Sequence, residues 1–234
     1  MKFDAWLNRL GLSLLAPRCL LCGEAGYSGQ DLCQACREAL PWNHTACPHC
    51  ALPLETPAAS ASPCGQCLRD PPPLQQTLAT FVYGFPLDRL VPRFKFHHDL
   101  AAGRLMGQLM AEHLAGTEAG VLVPIPLHPK RLSKRGYDQA GQLAKALSGQ
   151  LALPQQPRLL RRVRDTAAQS ELDAETRHRN LRNAFAVADT ASRPAHVTLI
   201  DDVMTTGATL HAAARALRRA GVARVDAWVC ARVP

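Results

Sequence analysis

The sequence predicts an α/β protein in which a parallel sheet with helices on both faces follows a small cysteine-rich module. The segment from Val197 to Leu210, VTLIDDVMTTGATL, opens with the apolar and β-branched residues of a buried parallel strand. It then passes through a glycine-containing turn into an apolar-periodic helix. Four C-x-x-C pairs all precede residue 74, whereas strand and helix patterns alternate after it. These two observations distinguish an N-terminal metal-binding module from the α/β domain that follows it.

Apolar periodicity and the positions of Pro and Gly predict the remaining elements. Strands are expected at Thr77–Tyr83, Val121–Ile125, Phe185–Val187 and Val225–Val233. Helices are expected at Pro86–His97 and Leu100–Leu114, around Leu143–Leu151, and from Leu210 to near Gly221. Residues 70–73, DPPP, form a stiff spacer. We therefore predict two domains, at 1–73 and 74–234.

Charge and hydropathy limit the classes of partner. The chain has 234 residues and a formal net charge of +8, which favours phosphates, pyrophosphate or nucleic acid. No run approaches the roughly 18 apolar residues that span a bilayer. Asp4 and Arg9 interrupt any signal-peptide core near the N-terminus. We therefore expect a cytoplasmic protein with no integral membrane segment and with reduced cysteines.

The four C-x-x-C pairs predict two structural zinc ions. The two-residue spacing lets both thiolates of a pair reach one metal, and two pairs complete a tetrahedral shell. Sequential pairing is the simplest arrangement, and an interleaved one remains open. The expected ligands are Cys19, Cys22, Cys33, Cys36, Cys47, Cys50, Cys64 and Cys67. The ninth cysteine, Cys230, is expected to be a small buried hydrophobe in the last strand.

The segment from Val197 to Leu210 also predicts a sugar-phosphate site. Unpaired amides and the macrodipole at the start of a helix bind a phosphate, and Gly207 permits close backbone approach. The candidate phosphate-binding residues are Thr205, Thr206, Gly207, Ala208 and Thr209. Asp201 and Asp202 would accept hydrogen bonds from the two ribose hydroxyls. Neither GxxxxGK[ST] nor GxGxxG occurs here, which excludes a Walker loop and a dinucleotide fingerprint.

This segment resembles the phosphoribosyl-pyrophosphate (PRPP) signature of type I phosphoribosyltransferases. With the cysteine pairs, the chain resembles the ComF family, competence protein F relatives that join a cysteine-rich module to such a domain. The resemblance implies a type I phosphoribosyltransferase-like sheet and a double zinc ribbon-like module. It also implies a phosphoribosyl ligand. Mg²⁺ is expected with PRPP, because pyrophosphate leaves well only when its charge is neutralised.

Residues 135–140 resemble the pyrophosphate loop of that family. They lie in a basic segment at the carboxyl end of a predicted strand, where α/β sheets place ligands. The candidate residues are Lys134, Arg135 and Gly136, and Arg135 is also a candidate catalytic residue with Asp201 and Asp202. Asp138 is interpreted as the N-cap of the next helix. The alternative is a basic exposed loop without a ligand.

A third segment, residues 159–183, resembles the mobile loop that closes over the substrate in type I transferases. The matching residues are Thr166, Gln169, Leu172, Arg177 and Asn180. Arg161, Arg162 and Arg164 are candidates to meet pyrophosphate. Because Thr166-x-x-Gln169 is also a capping box, a purely helical role for those two residues is equally compatible with the pattern.

Two functions follow from these motifs. The first is a protein that binds PRPP or a phosphoribosyl nucleotide, a possible phosphoribosyltransferase serving DNA uptake or utilisation in competence. The alternative is a competence protein that binds single-stranded DNA and whose PRPP pocket is non-catalytic. In that case the zinc module and the basic stretch from Leu127 to Asn183 would follow the phosphate backbone. The acceptor and the oligomeric state stay open.

Overall fold

The computed structural model of the chain describes residues 16–54, 62–164, 184–189 and 193–234, without the side chains of Lys134 and Arg135. The predicted loop positions Thr166, Gln169, Leu172, Arg177 and Asn180 lie outside the described residues. Within these ranges the elements are numbered in chain order.

A parallel sheet of four strands, in the order β1-β6-β5-β2, forms the centre of the described structure. Its strands are β1 (Thr77–Val82), β2 (Val121–Pro124), β5 (His196–Met204) and β6 (Arg224–Arg232). A separate antiparallel pair is formed by β3 (Leu160–Arg162) and β4 (Phe185–Val187). The two central strands are mostly buried and rich in β-branched residues, as strands covered on both faces require.

Helices cover both faces of the sheet. On one face lie α3 (Leu87–Phe96), α4 (Leu100–Leu114) and α6 (Gln139–Leu151), packed around Ile200 and Trp228. On the other face lies α7 (Ala208–Arg219), packed around Leu199 and Val229. Three further helices are short: α1 (Gln34–Glu38), α2 (Gly65–Arg69) and α5 (Pro129–Arg135). The predicted α/β class, with a parallel sheet and helices on both faces, is confirmed. Among the described helices, none is both long enough and apolar enough to cross a membrane.

The sequence did not predict α1, α2 or β3, and β3 forms at the start of the segment expected to be a mobile loop. Two further differences lie near the candidate site. The basic segment after β2 contains a helix, α5, because Pro129 stands at its first turn and Gly136 ends it with a φ of 73°. Strand β5 does not end before the two aspartates but continues to Met204. Its partner β6 continues alongside, with Asp201 opposite Val229 and Met204 opposite Arg232.

The cysteine-rich part packs on the edge strand β1. The amide of Asn43 donates to the Thr80 carbonyl at 3.0 Å, and the amide of Val82 donates to the Pro41 carbonyl at 2.8 Å. The ring of Trp42 lies 4.7 Å from that of Phe81, between centroids. This packing covers an edge that would otherwise expose unpaired backbone groups. The boundary between residues 73 and 74 stays a prediction.

The helix pair α3–α4 depends on a glycine. A methyl group at Gly103 would overlap the fully buried ring of Phe94, so we expect Gly103→Ala to lower the free energy of unfolding by about 1–3 kcal/mol despite the better helix propensity of Ala. Gly149→Ala is the matched control in α6, where nothing lies within 4 Å of the added methyl. It should raise stability by up to about 1 kcal/mol in urea unfolding. Equal effects of the two substitutions would contradict this packing.

Candidate functional site

The paired cysteines form two groups of four. Cys19, Cys22, Cys33 and Cys36 make one group, and Cys47, Cys50, Cys64 and Cys67 make the other, with the sulfur atoms of each group within 4.8 Å of one another. The Sγ atoms of Cys22 and Cys33 are 3.6 Å apart, and those of Cys50 and Cys64 are 3.7 Å apart. Two thiolates bound tetrahedrally to one Zn²⁺ at about 2.3 Å would be separated by about 3.8 Å. The structure therefore has two zinc-binding cysteine groups in the sequential arrangement.

Backbone amides support the sulfur atoms in both groups. The amide of Cys36 donates to the Cys33 sulfur at 3.4 Å, and the amide of Cys64 donates to the Cys47 sulfur at 3.2 Å. Such donors stabilise the thiolate form that binds metal. Because each group supplies four protein ligands, neither leaves the open coordination position of a catalytic zinc.

A small concavity of about 70 Å³ lies where β5 turns into α7. Its walls include one carboxylate, that of Asp201, and the whole turn from Thr205 to Thr209. The turn brings the start of a 12-residue helix to the edge of the sheet. The first amides of such a helix lack partners within it and carry the positive end of its dipole. The concavity therefore has an anion-binding base and an acidic rim.

Gly207 makes this turn possible. It is the N-cap of α7 and has a φ of 74°, in the left-handed region that favours glycine. A Cβ at this position would lie 2.5 Å from the terminal methyl of Met204 and 3.0 Å from Nε2 of His211. The Thr206 hydroxyl accepts a hydrogen bond from the Ala208 amide at 3.4 Å. A side chain at residue 207 would therefore strain the backbone and overlap Met204 and His211, so this turn requires glycine.

The two aspartates do not face the same side. Successive side chains of a strand point to opposite faces, and Asp201 lines the concavity beside α7 whereas Asp202 points towards α3. There the carboxylate of Asp202 pairs with the ammonium of Lys95 at 2.9 Å. Both side chains of that pair are largely buried, with exposed fractions of 13% and 21%. Sequence reasoning missed Lys95, since one cation in a predicted helix carries no signal of its direction.

The charges at this strand end are incompletely balanced. Burial, and next the negative charge of Asp202, raise the pKa of Asp201 to about 7, while Lys95 acts in the opposite direction. Burial and Asp202 also raise the pKa of Asp138. Asp138 occupies the N-cap position of α6 as predicted, but its side chain makes no capping hydrogen bond. A ligand that brings hydroxyl donors or a cation here would relieve this repulsion.

The predicted pyrophosphate segment starts beside the aspartates. Pro124 of β2 is opposite Ile200 of β5, and the Ile125 amide donates to the Ile200 carbonyl at 2.9 Å, so the chain leaves β2 next to Asp201. After α5 it turns at Gly136, where the ring of Tyr137 packs 5.6 Å from that of Phe94. Lys134 and Arg135 lie in the last turn of α5. Their side chains are outside the described part of the structure.

Two families of known domains match the chain. The double zinc ribbon domain matches residues 12–68, and the phosphoribosyl transferase domain matches residues 102–234. The second match covers more than half of the chain and includes both the segment after β2 and the β5–α7 turn.

Known proteins resemble the chain over most of its length. DNA utilization protein YhgH of Salmonella typhimurium is 36% identical over 97% of this chain and 96% of its own length. Competence protein F of Haemophilus influenzae is 33% identical over 92% of this chain and 96% of its own length.

The chain belongs to the ComF family. Competence protein ComFC of Bacillus subtilis, at 29% identity over 83% of this chain and 80% of its own length, is a more distant relative. The ComF resemblance drawn from the sequence is thereby confirmed.

The zinc groups of this ComF-family chain give a metal-content prediction. Because Cys67 is a buried ligand of the second group, we expect Cys67→Ser to reduce bound zinc from about two ions per chain to about one. Cys230→Ala is the matched control, since Cys230 is buried in β6 outside both groups. Atomic emission on purified protein measures the ratio. Two ions retained by Cys67→Ser would contradict the ligand assignment.

The raised pKa of Asp201 gives a pH prediction. Because that pKa, about 7, lies above the unfolded value near 4, the native state holds the proton more tightly, and wild-type stability falls as pH rises from about 4 to about 7. Asp201→Asn removes this pH dependence of stability. The side-chain oxygen of the new asparagine can still accept the hydrogen bond that the Asp202 amide donates to Asp201 at 2.9 Å in the wild type. Because three pKa units correspond to about 4 kcal/mol, the variant should be more stable than wild type by up to about 4 kcal/mol at pH 8 and about equal to it at pH 4.

Denaturant unfolding of wild type and Asp201→Asn across this pH range measures the difference in their free energies of unfolding. Any effect of pH on the zinc groups is common to both proteins and cancels in that difference. Asp189→Asn, at a fully exposed carboxylate, is the matched control and should leave the pH profile unchanged. A constant offset between Asp201→Asn and wild type at every pH would show that Asp201 is not destabilised by ionisation.

Proposed function

We propose that the concavity at the β5–α7 turn binds the 5′-phosphate and ribose of PRPP or of a phosphoribosyl nucleotide, together with Mg²⁺. The observation that supports this most strongly is the combination of an acidic strand end with an anion-binding helix start in one cavity wall. A ligand with hydroxyls at one end and a phosphate at the other matches both parts. A simple phosphate would be repelled by the carboxylate rim.

In this proposal the turn from Thr205 to Thr209 binds the phosphate end of the ligand. Its amides, the α7 dipole and the three threonine hydroxyls supply donors to the phosphate oxygens. Gly207 and Ala208 keep the cradle free of bulky side chains. Asp201 and Asp202 bind the ribose end, and their carboxylates accept hydrogen bonds from its two hydroxyls. The ribose then lies across the end of β5, so that Asp201 reaches it from one face of the strand and Asp202, paired with Lys95, from the other.

The donor set fits Mg²⁺, which prefers carboxylate and phosphate oxygens and keeps part of its water shell. Asp201 and Asp202 are the residues that would hold it near the ribose. When bound, the ion neutralises pyrophosphate and so makes it a better leaving group. Lys134, Arg135 and Gly136 would meet the pyrophosphate, with Arg135 in a catalytic role, because their segment starts beside the same strand end. The contribution of the chain is thus positional and electrostatic.

The biological role we propose is DNA uptake or utilisation in competence. It rests on the names of the relatives, which are a DNA utilization protein and competence proteins. A phosphoribosyl site is compatible with this role because nucleotides are both the products of DNA breakdown and natural PRPP-derived molecules. We therefore propose the chain as a candidate phosphoribosyltransferase of the glycosyltransferase type.

A second candidate function is the binding of single-stranded DNA. A groove of about 890 Å³ lies between the segment after β2 and the β3–β4 pair, and its charged lining consists of three arginines, Arg158, Arg161 and Arg162, and one carboxylate, Asp189. Cations along a groove that also has apolar walls are typical of sites that follow a nucleic-acid backbone. In this case the phosphoribosyl pocket would bind a nucleotide without turnover.

Replacing the acidic pair separates the two functions. Asp201→Asn with Asp202→Asn removes the acceptors for both ribose hydroxyls, so binding of PRPP with Mg²⁺ should weaken about 100-fold or more in calorimetric titration. Binding of a single-stranded oligonucleotide should be unchanged or slightly stronger, because two negative charges are lost.

The matched control is Asp70→Asn with Asp189→Asn, which removes the same charge from two exposed positions. It should bind PRPP as the wild type does. No binding of PRPP with Mg²⁺ by the wild type at millimolar ligand would contradict the proposed function.

A further inference from the structure

A second cavity, which shares no lining residue with the concavity at the β5–α7 turn, lies between the cysteine-rich part and the end of α4. Its volume is about 430 Å³, within the range of about 300–1,000 Å³ that small-molecule sites occupy. Its lining residues are Tyr27, Gln34, Arg37, Glu38, Trp42, His44, Glu112 and His113. The first six come from the cysteine-rich part and the last two from α4, so the cavity exists only where these two parts meet.

Planar groups form much of its wall. The rings of Trp42 and His113 are stacked at 5.8 Å between centroids with an interplanar angle of 28°, and those of Trp42 and His44 at 6.4 Å with 23°. The guanidinium of Arg37 lies over the Trp42 ring at 5.4 Å from its centroid. The rings of His44 and His113 are inclined at 50° to each other, so the wall is not one flat surface. Aromatic faces and a guanidinium plane are surfaces on which a flat heterocycle stacks.

The charged groups of the wall are largely satisfied by one another. Arg37 donates to Glu112 at 2.7 Å and to Gln30 at 3.3 Å, and Gln34 donates to Glu38 at 2.9 Å. Among the described residues, the ring nitrogens of His44 and His113 have no hydrogen-bond partner. A neutral imidazole offers one donor and one acceptor. The neutral form of His113, which its lowered pKa favours, therefore presents a mixed donor and acceptor edge that a heterocycle with both kinds of group can use.

The balance of charge selects an uncharged ligand. The lining of the cavity contains two carboxylates, those of Glu38 and Glu112, and one guanidinium, that of Arg37. Burial, followed by the nearby His44, lowers the pKa of His113, so that this ring stays neutral at pH 7. A phosphate would find no excess of positive charge here. The ligand that fits is planar, uncharged and able to donate and accept hydrogen bonds at its edge.

We propose that this cavity binds a nucleobase, either of a free nucleoside or of an unpaired residue in a single strand. The base stacks on the ring surface of Trp42, His44 and His113, and its sugar points to solvent past the exposed side chains at the rim. The site is separate from the phosphate cradle, and the proposal does not depend on PRPP binding.

Titration with thymidine and deoxyguanosine, then with a single-stranded oligonucleotide, tests the proposal on the full-length zinc-loaded chain. Stacking on Trp42 should quench its fluorescence, and Trp42→Phe assigns the signal because it keeps a ring but removes the indole. Calorimetry measures affinity for every protein. His44→Ala, which removes one exposed stacking ring, should weaken binding about fivefold. Ribose alone should not bind.

His97→Ala is the matched control, at an exposed histidine that does not line the cavity. Nucleoside binding that His44→Ala weakens and His97→Ala leaves unchanged supports the site with a free nucleoside as its ligand. If the oligonucleotide binds and the free nucleosides do not, and His44→Ala weakens that binding, the site is supported with an unpaired base of a single strand as its ligand. Absence of both, or binding that neither His44→Ala nor His113→Ala weakens, overturns the proposal.

Discussion

Two adjacent carboxylates at the end of a buried strand set the main constraint on this molecule. Asp201 and Asp202 point to opposite faces of β5, and among the described side chains only Asp202 has a cation, Lys95, at ion-pair distance. The pKa of Asp201 is raised to about 7 by burial and by its neighbour. An arrangement that costs stability in the free protein is typical of sites that a ligand completes. A sugar with two hydroxyls, or a divalent cation, would supply what the strand end lacks.

The sheet and the zinc groups hold this strand end in place. Arg232, at the end of β6, donates to the Cys50 carbonyl at 2.9 Å and to the Met204 carbonyl at 3.4 Å. One guanidinium therefore connects the second zinc group to the last residue of β5, immediately before the turn that we propose binds phosphate. Parallel pairing of β5 with β6 and β2 fixes the same end from both sides. The structural zinc thus contributes to the position of the site as well as to the folding of its own module.

Features that depend on local spacing could be predicted from the sequence. The C-x-x-C pairs and the strand–turn–helix around Gly207 lie within a few residues of one another, so their chemistry shows in the order of residue types. The helix α5 was missed because its cationic residues resembled an exposed loop, although Pro129 and Gly136 mark its ends. The sequential zinc arrangement required coordinates, since two C-x-x-C pairs can combine in either order.

Features that depend on tertiary packing could not be predicted. Lys95 meets Asp202 only because α3 packs across β5. The cavity around Trp42 joins residues that are about 70 positions apart in the chain, and no local pattern connects His44 with His113. Asp138 was placed correctly at the start of α6, where the Ala140 and Gly141 amides lower its pKa, but the burial and the nearby Asp202 that raise this pKa follow from the tertiary fold.

The central claim is that one cavity holds a sugar phosphate by both ends. A crystal structure of the chain soaked with PRPP and Mg²⁺ tests it most directly, because it shows ligand and metals together. We expect the 5′-phosphate at the amides of residues 205–209 and the ribose hydroxyls at Asp201 and Asp202. A ligand bound elsewhere, with the β5–α7 cavity empty at saturating PRPP, would contradict it.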